Sequence, residues 1–241
     1  MIKFFRKIRQ QLLAQNRISK YLFYAIGEIV LVVIGILIAL SINTWNNNRL
    51  DREKEVQFLS EIKSNLEQDL NSAEAVLTFN RKKDSAIDMA FKIMGEASKE
   101  KLPVSLMKLF PFLTEYQVFL ANSVAFDNMT SSESIALVSN DSLRKRLSNY
   151  YKFTASLGDF TQEQIKDQTR KFIDESITML IDDKMVQSMV GHPIIIDQKN
   201  NFYTDPKTFK NLFNMKMNIG AQNDLMESLK HQILAILELM D

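Results

Sequence analysis

Residues 22–42 read LFYAIGEIVLVVIGILIALSI, a run of 21 positions in which Glu28 is the only charge. At 1.5 Å per residue a helix of that length spans about 31 Å, matching a bilayer hydrocarbon layer of roughly 30 Å. From Ile29 to Leu40 no polar face interrupts the run, whereas a helix half-buried in a soluble core alternates apolar and polar sides. Tyr21, Tyr24 and Trp45 stand near its ends, where aromatic rings favour the headgroup layer. Residues 21–45 therefore read as one transmembrane helix.

The flanking charges orient it. Residues 1–43 hold six basic side chains (Lys3, Arg6, Lys7, Arg9, Arg17, Lys20) and one acidic one, while the remaining 198 residues hold 24 basic and 28 acidic. The positive-inside bias puts residues 1–20 in the cytoplasm and residues 56–241 outside, in a bacterial cell membrane. Ala39-Leu40-Ser41 has the small-x-small form of a signal-peptidase site. The long basic region and Glu28 argue instead for an uncleaved signal anchor. Within residues 2–13, IKFFRKIRQQLL, Ile2, Phe5, Ile8 and Leu12 recur at helical spacing with Lys and Arg between them. That is the pattern of a basic amphipathic segment lying on anionic lipid.

MIKFFRKIRQ, followed by YAIGEIVLVVIGILIALSINTWNNNR, resembles the opening of an uncharacterised family of bacterial single-span membrane proteins, defined by a domain of unknown function. The likeness is close over residues 1–49 and looser over Phe126–Tyr151. There the family tends to carry an aromatic–Leu–Lys–Ser–Ser–Gly stretch and then Ile–Ser–Asn–x–x–Leu–Arg. The second stands here as Val138-Ser139-Asn140-Asp141-Ser142-Leu143-Arg144. The first departs: Met129-Thr130-Ser131-Ser132-Glu133 has no glycine where a tight turn would use one. The resemblance implies location and architecture and brings no catalytic residues.

Beyond the span, residues 46–55 (NNNRLDREKE) form a polar stalk, helical or loose. Leu59, Ile62, Leu66, Leu70, Ala73 and Leu77 then recur at three and four, the stripe of an amphipathic helix. A second helical stretch follows through Ile87, Phe91 and Met94 to about Glu100, and Pro103 and Pro111 bracket a turning segment. Asn140-Asp141-Ser142 reads as the N-cap of a helix running past Gly158 to about Gln187, ended by His192-Pro193. Residues 194–196 and 202–204 are expected to pair as a short β-hairpin near 194–204. Asp205-Pro206 starts a last helix carrying Met226, Leu229, Ile233, Ile236 and Met240. The expected fold is all-α: one N-terminal transmembrane helix, then an extracytoplasmic antiparallel helical bundle over 56–241. Six Gly and four Pro in 241 residues, well under the roughly 12% of ordinary chains, agree with long helices.

Composition excludes much chemistry. With no cysteine there is no disulfide framework, thiol catalysis or Cys-type zinc site. His231 lies four residues after Glu227, whereas a di-iron bundle needs Glu-x-x-His at three from two helices. The two side chains read as a salt-bridged pair on one helix face. His192 reads as a loop residue and Asp182-Asp183 as a charged doublet. No P-loop, dinucleotide-binding or nucleophile-elbow motif occurs. A weakly acidic main domain has no electrostatic reason to bind nucleic acid. We expect no enzyme, no metal and no cofactor.

The candidate association site lies in the span. Starting the hydrocarbon at Ile29 would leave 14 residues, or about 21 Å, so Glu28 falls inside the apolar layer. Tyr24 one turn earlier and Lys20 two turns earlier are its expected partners. Glu28, Gly35 and Ala39 form one polar-then-small stripe of the kind that lets membrane helices approach. That stripe is expected to make a homo-oligomer or to dock a partner's span. The expected function is a membrane-anchored interaction or scaffold protein of the envelope. The alternative is a sensory or ligand-binding input domain acting through a separate signalling partner, since only about 20 residues precede the span.

Overall fold

The computed structural model describes residues 18–96, 106, 108–176, 191, 202 and 205–240. In chain order its helices are α1 (Ile18–Glu96), α2 (Phe110–Thr114), α3 (Val124–Ser131), a 3-10 turn (Ser134–Leu137), α4 (Asp141–Glu175) and α5 (Pro206–Leu237). No strand occurs among the described residues. The hairpin expected near 194–204 lies outside them except for Phe202, which sits in a turn.

The chain divides into two units, Met1–Val56 and Gln57–Asp241. In the first, α1 is helical from Ile18 through the polar stretch 46–55, so the stalk is helix and not a loose linker. Arg49–Glu53 at 3.3 Å and Arg52–Glu55 pair along it, at the spacings that bring helical side chains side by side. The large side chains of residues 22–42 are exposed, Leu31 to 69%. Among the described residues α1 is the helix long and apolar enough to cross a membrane.

In the second unit α1 continues to Glu96, so the two expected stretches, 59–77 and 87–94, are one helix. The intervening TFNRKKDSA contains neither Gly nor Pro, and nothing in it breaks the backbone ladder. Its buried positions serve two apolar cores. The first gathers Ile62, Leu66 and Leu77 of α1, Leu147 and Tyr150 of α4, and Leu229 and Ile233 of α5, with α3 covering it through Met129. The second gathers Ile87 and Ala90 of α1, Phe172 of α4, Leu212 and Met215 of α5, and Leu113 of α2. Helices α1 and α4 pass from the first core to the second, and α5 passes from the second to the first. Hence α5 runs antiparallel to both. Ion pairs match that direction: Lys230 reaches Glu74 at 2.5 Å, and Lys216 reaches Asp84 and Asp88, both at 2.8 Å.

Both expected helix starts occur. The Asn140 side chain accepts from the Ser142 and Leu143 amides at 3.0 and 3.1 Å, and Asp205 accepts from Lys207 at 2.7 Å with Pro206 in the first turn. Such caps satisfy amides that have no partner inside the helix. Arg144 donates back to the Val138 carbonyl at 3.1 Å, so the stretch 138–144 works as one capping unit. Described helix α4 passes Gly158 and closes at Glu175; the expected continuation to Gln187 lies outside the described residues. Glu133 follows α3 with φ 57° and ψ 10°. That left-handed conformation favours glycine, and the tight turn is made here without one.

Candidate functional site

Along the helices, the two cores are separated by a polar layer. On α1 the stripe runs Ala73, Leu77, Asn80, Lys83, Ile87, Ala90, with the two polar residues as buried as their apolar neighbours. On α5, Gln222 takes the same place between Ile219 and Met226, and α4 contributes Thr169. Burying such groups costs free energy unless they are hydrogen-bonded. Most are. Asn80 Nδ2 donates to Gln222 Oε1 at 2.8 Å and to Asn223 Oδ1 at 2.9 Å. Gln222 Nε2 donates to the Gln117 carbonyl at 3.0 Å. Lys83 Nζ donates to the Glu115 carbonyl at 2.5 Å.

A cavity opens in this layer. It offers about 20 Å³ to the centre of a water-sized sphere and is lined from α1 by Phe79, Asn80 and Lys83, from α4 by Ile165, Gln168 and Thr169, and from α5 by Met215, Asn218, Ile219 and Gln222, with Tyr116 and Gln117 at its side. No Asp or Glu is among its lining residues. Burial pushes the Lys83 ammonium down from its ordinary 10.5 to about 8, against the pull of the Glu115 charge. Gln168 Nε2 is buried with no hydrogen-bond partner. Together they set a cation and a spare amide donor at one chamber.

A second polar centre lies in the first core. Asp69 is buried and accepts from the Asn122 amide and the Tyr150 hydroxyl, both at 2.8 Å. Desolvation raises its carboxyl above the usual range in spite of these two bonds. Burial, and then the charge of Asp69, raises the Tyr150 hydroxyl as well. Tyr151 stacks on Phe126 with ring centroids 4.4 Å apart, and its hydroxyl is buried without a partner. This centre ties α1 to α4 and to the segment before α3.

The residues singled out from sequence lie elsewhere. Glu28, Gly35 and Ala39 sit on α1 seven and four positions apart, hence on one face. A side chain built on Gly35 would meet nothing. Tyr24 lies on the same helix one turn before Glu28, and Lys20 belongs to its first turn. Glu227 pairs with Lys230 at 3.4 Å rather than with His231, because the lysine three residues on also reaches Glu74 from the same side. His192 and Asp182-Asp183 lie outside the described residues. No group of three or more His, Cys, Asp or Glu converges among the described residues. Sequence reading missed the polar layer. Its signal was available, since Asn80, Lys83 and Gln222 fall on stripe positions where an apolar side chain belongs.

The chain matches a family of unknown function, DUF6090, over residues 28–178. No curated protein and no solved structure matches it.

Proposed function

The chain belongs to the DUF6090 family of unknown function, and from that premise we propose that it is a membrane-anchored helical interaction protein of the bacterial cell envelope. The span 22–42 holds it in the cell membrane, residues 1–20 face the cytoplasm, and the helices of residues 56–241 form an extracytoplasmic bundle. One observation carries this reading: large apolar side chains are exposed in an unbroken run from Ile29 to Leu40, whereas the helix stripes among the described residues 57–240 gather in two buried cores. A lipid solvent accounts for both arrangements. The six basic residues before the span supply the orientation. The sequence carries no catalytic motif, and we assign the protein no reaction, metal or cofactor.

Protease added to intact spheroplasts should remove residues 56–241 and spare an N-terminal tag. A mature chain beginning near Ile42 would overturn the anchor. The face of Glu28, Gly35 and Ala39 is proposed to contact a second copy or a partner's span. Loss of in-membrane cross-linking in Glu28→Leu and Gly35→Leu supports that contact, and an unchanged pattern in both removes it. Cross-linking in cells, followed by pull-down from detergent extract, tests the interaction role itself.

The cavity beside Lys83 favours a second reading, a ligand-binding input domain that acts through a separate signalling partner. Its buried donors are polar groups of the kind that fix a ligand's orientation in a pocket.

A further inference from the structure

We infer that the cavity between α1, α4 and α5 binds the carboxylate group of a small organic acid, with Lys83 and Gln168 as its donors. The inference rests on the ligand-binding reading and names its ligand class.

Size narrows the choice first. A chamber of about 20 Å³ holds one or two water-sized atoms, since each needs roughly 10–15 Å³ by this measure. A sugar, a nucleotide or a phosphate group does not enter it whole. The two oxygens of a carboxylate do. Charge decides next: among the described residues the lining contains the Lys83 ammonium and no carboxylate, and Lys83 spends one proton on the Glu115 carbonyl, leaving two to donate. Gln168 Nε2 is buried without a partner, and an unmet buried donor costs about 1–3 kcal/mol until an acceptor arrives. Asn80 Nδ2 and Gln222 Nε2 are already committed to protein acceptors, so the incoming oxygens fall to Lys83 and Gln168. The walls decide last. With the carboxylate filling the chamber, the hydrocarbon of a short-chain acid lies against the apolar Phe79 at the mouth, a contact that a bare halide lacks. The half-exposed Phe79 and Asn218 and the exposed Tyr116 and Gln117 leave a mouth through which a short chain can extend.

The test is calorimetric titration of the full chain in detergent micelles at pH 7 with acetate, propionate and butyrate. Propionamide and chloride are run in parallel at matched ionic strength. The expected result is saturable binding of the acids, a dissociation constant at least tenfold weaker in Lys83→Met, and a several-fold weakening in Gln168→Leu. Should Lys83→Met lose its helical circular dichroism, Gln168→Leu carries the test alone. Propionamide binding as tightly as propionate would overturn the carboxylate and leave a ligand site standing. Chloride binding as tightly would mean an adventitious ion only and would also overturn it. Absence of saturable binding by every probe would mean that water alone fills the cavity, and both the inference and the input-domain reading would fall.

Discussion

Helix α1 carries two stretches whose apolar side chains have opposite fates. Along residues 22–42 nearly every side chain is apolar and exposed, whichever way it faces. Along residues 62–90 the apolar side chains recur at three and four and most of them are buried, while the exposed positions between them are largely polar. Helix propensity does not distinguish them, since both are helical throughout. Patterning does. A stripe commits a helix to neighbours on one side, and an all-round apolar surface commits it to an apolar solvent.

The largest expected effect breaks that comparison if it fails. Leu66 is fully buried in the first core, and Leu66→Ala should cost about 2–5 kcal/mol by lost transfer and residual cavity. Leu31→Ala, with the same chemistry at an exposed site, should stay within about 0.5 kcal/mol. Chemical denaturation of the full chain in detergent, followed by circular dichroism, measures both. Equal losses would mean that the apolar run packs against protein in the folded chain.

The next effect sharpens the comparison by asking what the stripe pays when it carries a charge. Lys83 has a folded pKa of about 8 against an ordinary 10.5. Between those values the unfolded chain holds a proton that the folded chain has released, so stability rises with pH across that window. Below about pH 8 both states are protonated and the full penalty applies. The gain should reach about 3 kcal/mol, at roughly 1.4 kcal/mol per tenfold change in proton affinity. Lys83→Met should flatten the rise, and unfolding midpoints at pH 7, 9 and 10.5 would check it.

Much of the architecture was legible because it follows from local chemistry. The long apolar helix follows from length and apolarity, and the starts of α4 and α5 from Asn140 and from Asp205-Pro206. Other features depend on tertiary contacts that no local pattern announces. The continuity of α1 is hidden in sequence because TFNRKKDSA is polar, yet its Asn80 and Lys83 face inward to partners on α5 and beside Glu115. Asp69 was read past for the same reason, its partners lying 53 and 81 residues away. Helix α3 is short and faintly patterned, and it is held by Ala125 and Met129 against the first core. The stripe of Glu28, Gly35 and Ala39 was legible as one face of α1.

The smallest effect concerns the turn after α3. Glu133 adopts φ 57°, where a residue with a side chain is strained by about 1–2 kcal/mol and glycine is not. Glycine returns part of that gain as unfolded-state entropy. Glu133→Gly should therefore raise stability by about 0.5–1 kcal/mol, read as a shift in denaturation midpoint without a change in slope.

The polar layer also bears on how the folded domain breathes. Where Asn80, Lys83 and Gln222 cross the helices, contacts are directional and few, and the hydrophobic cooperation that binds each core within itself does not pass through them undiminished. Such a seam divides a fold into units that open separately. Amide hydrogens of Ala86–Ala90 and Leu212–Ile219 should exchange through openings that leave Ile62–Leu77 and Met226–Ile236 protected. A ligand bridging Lys83 and Gln168 would then act as a rivet across the seam, slowing exchange on its weaker side.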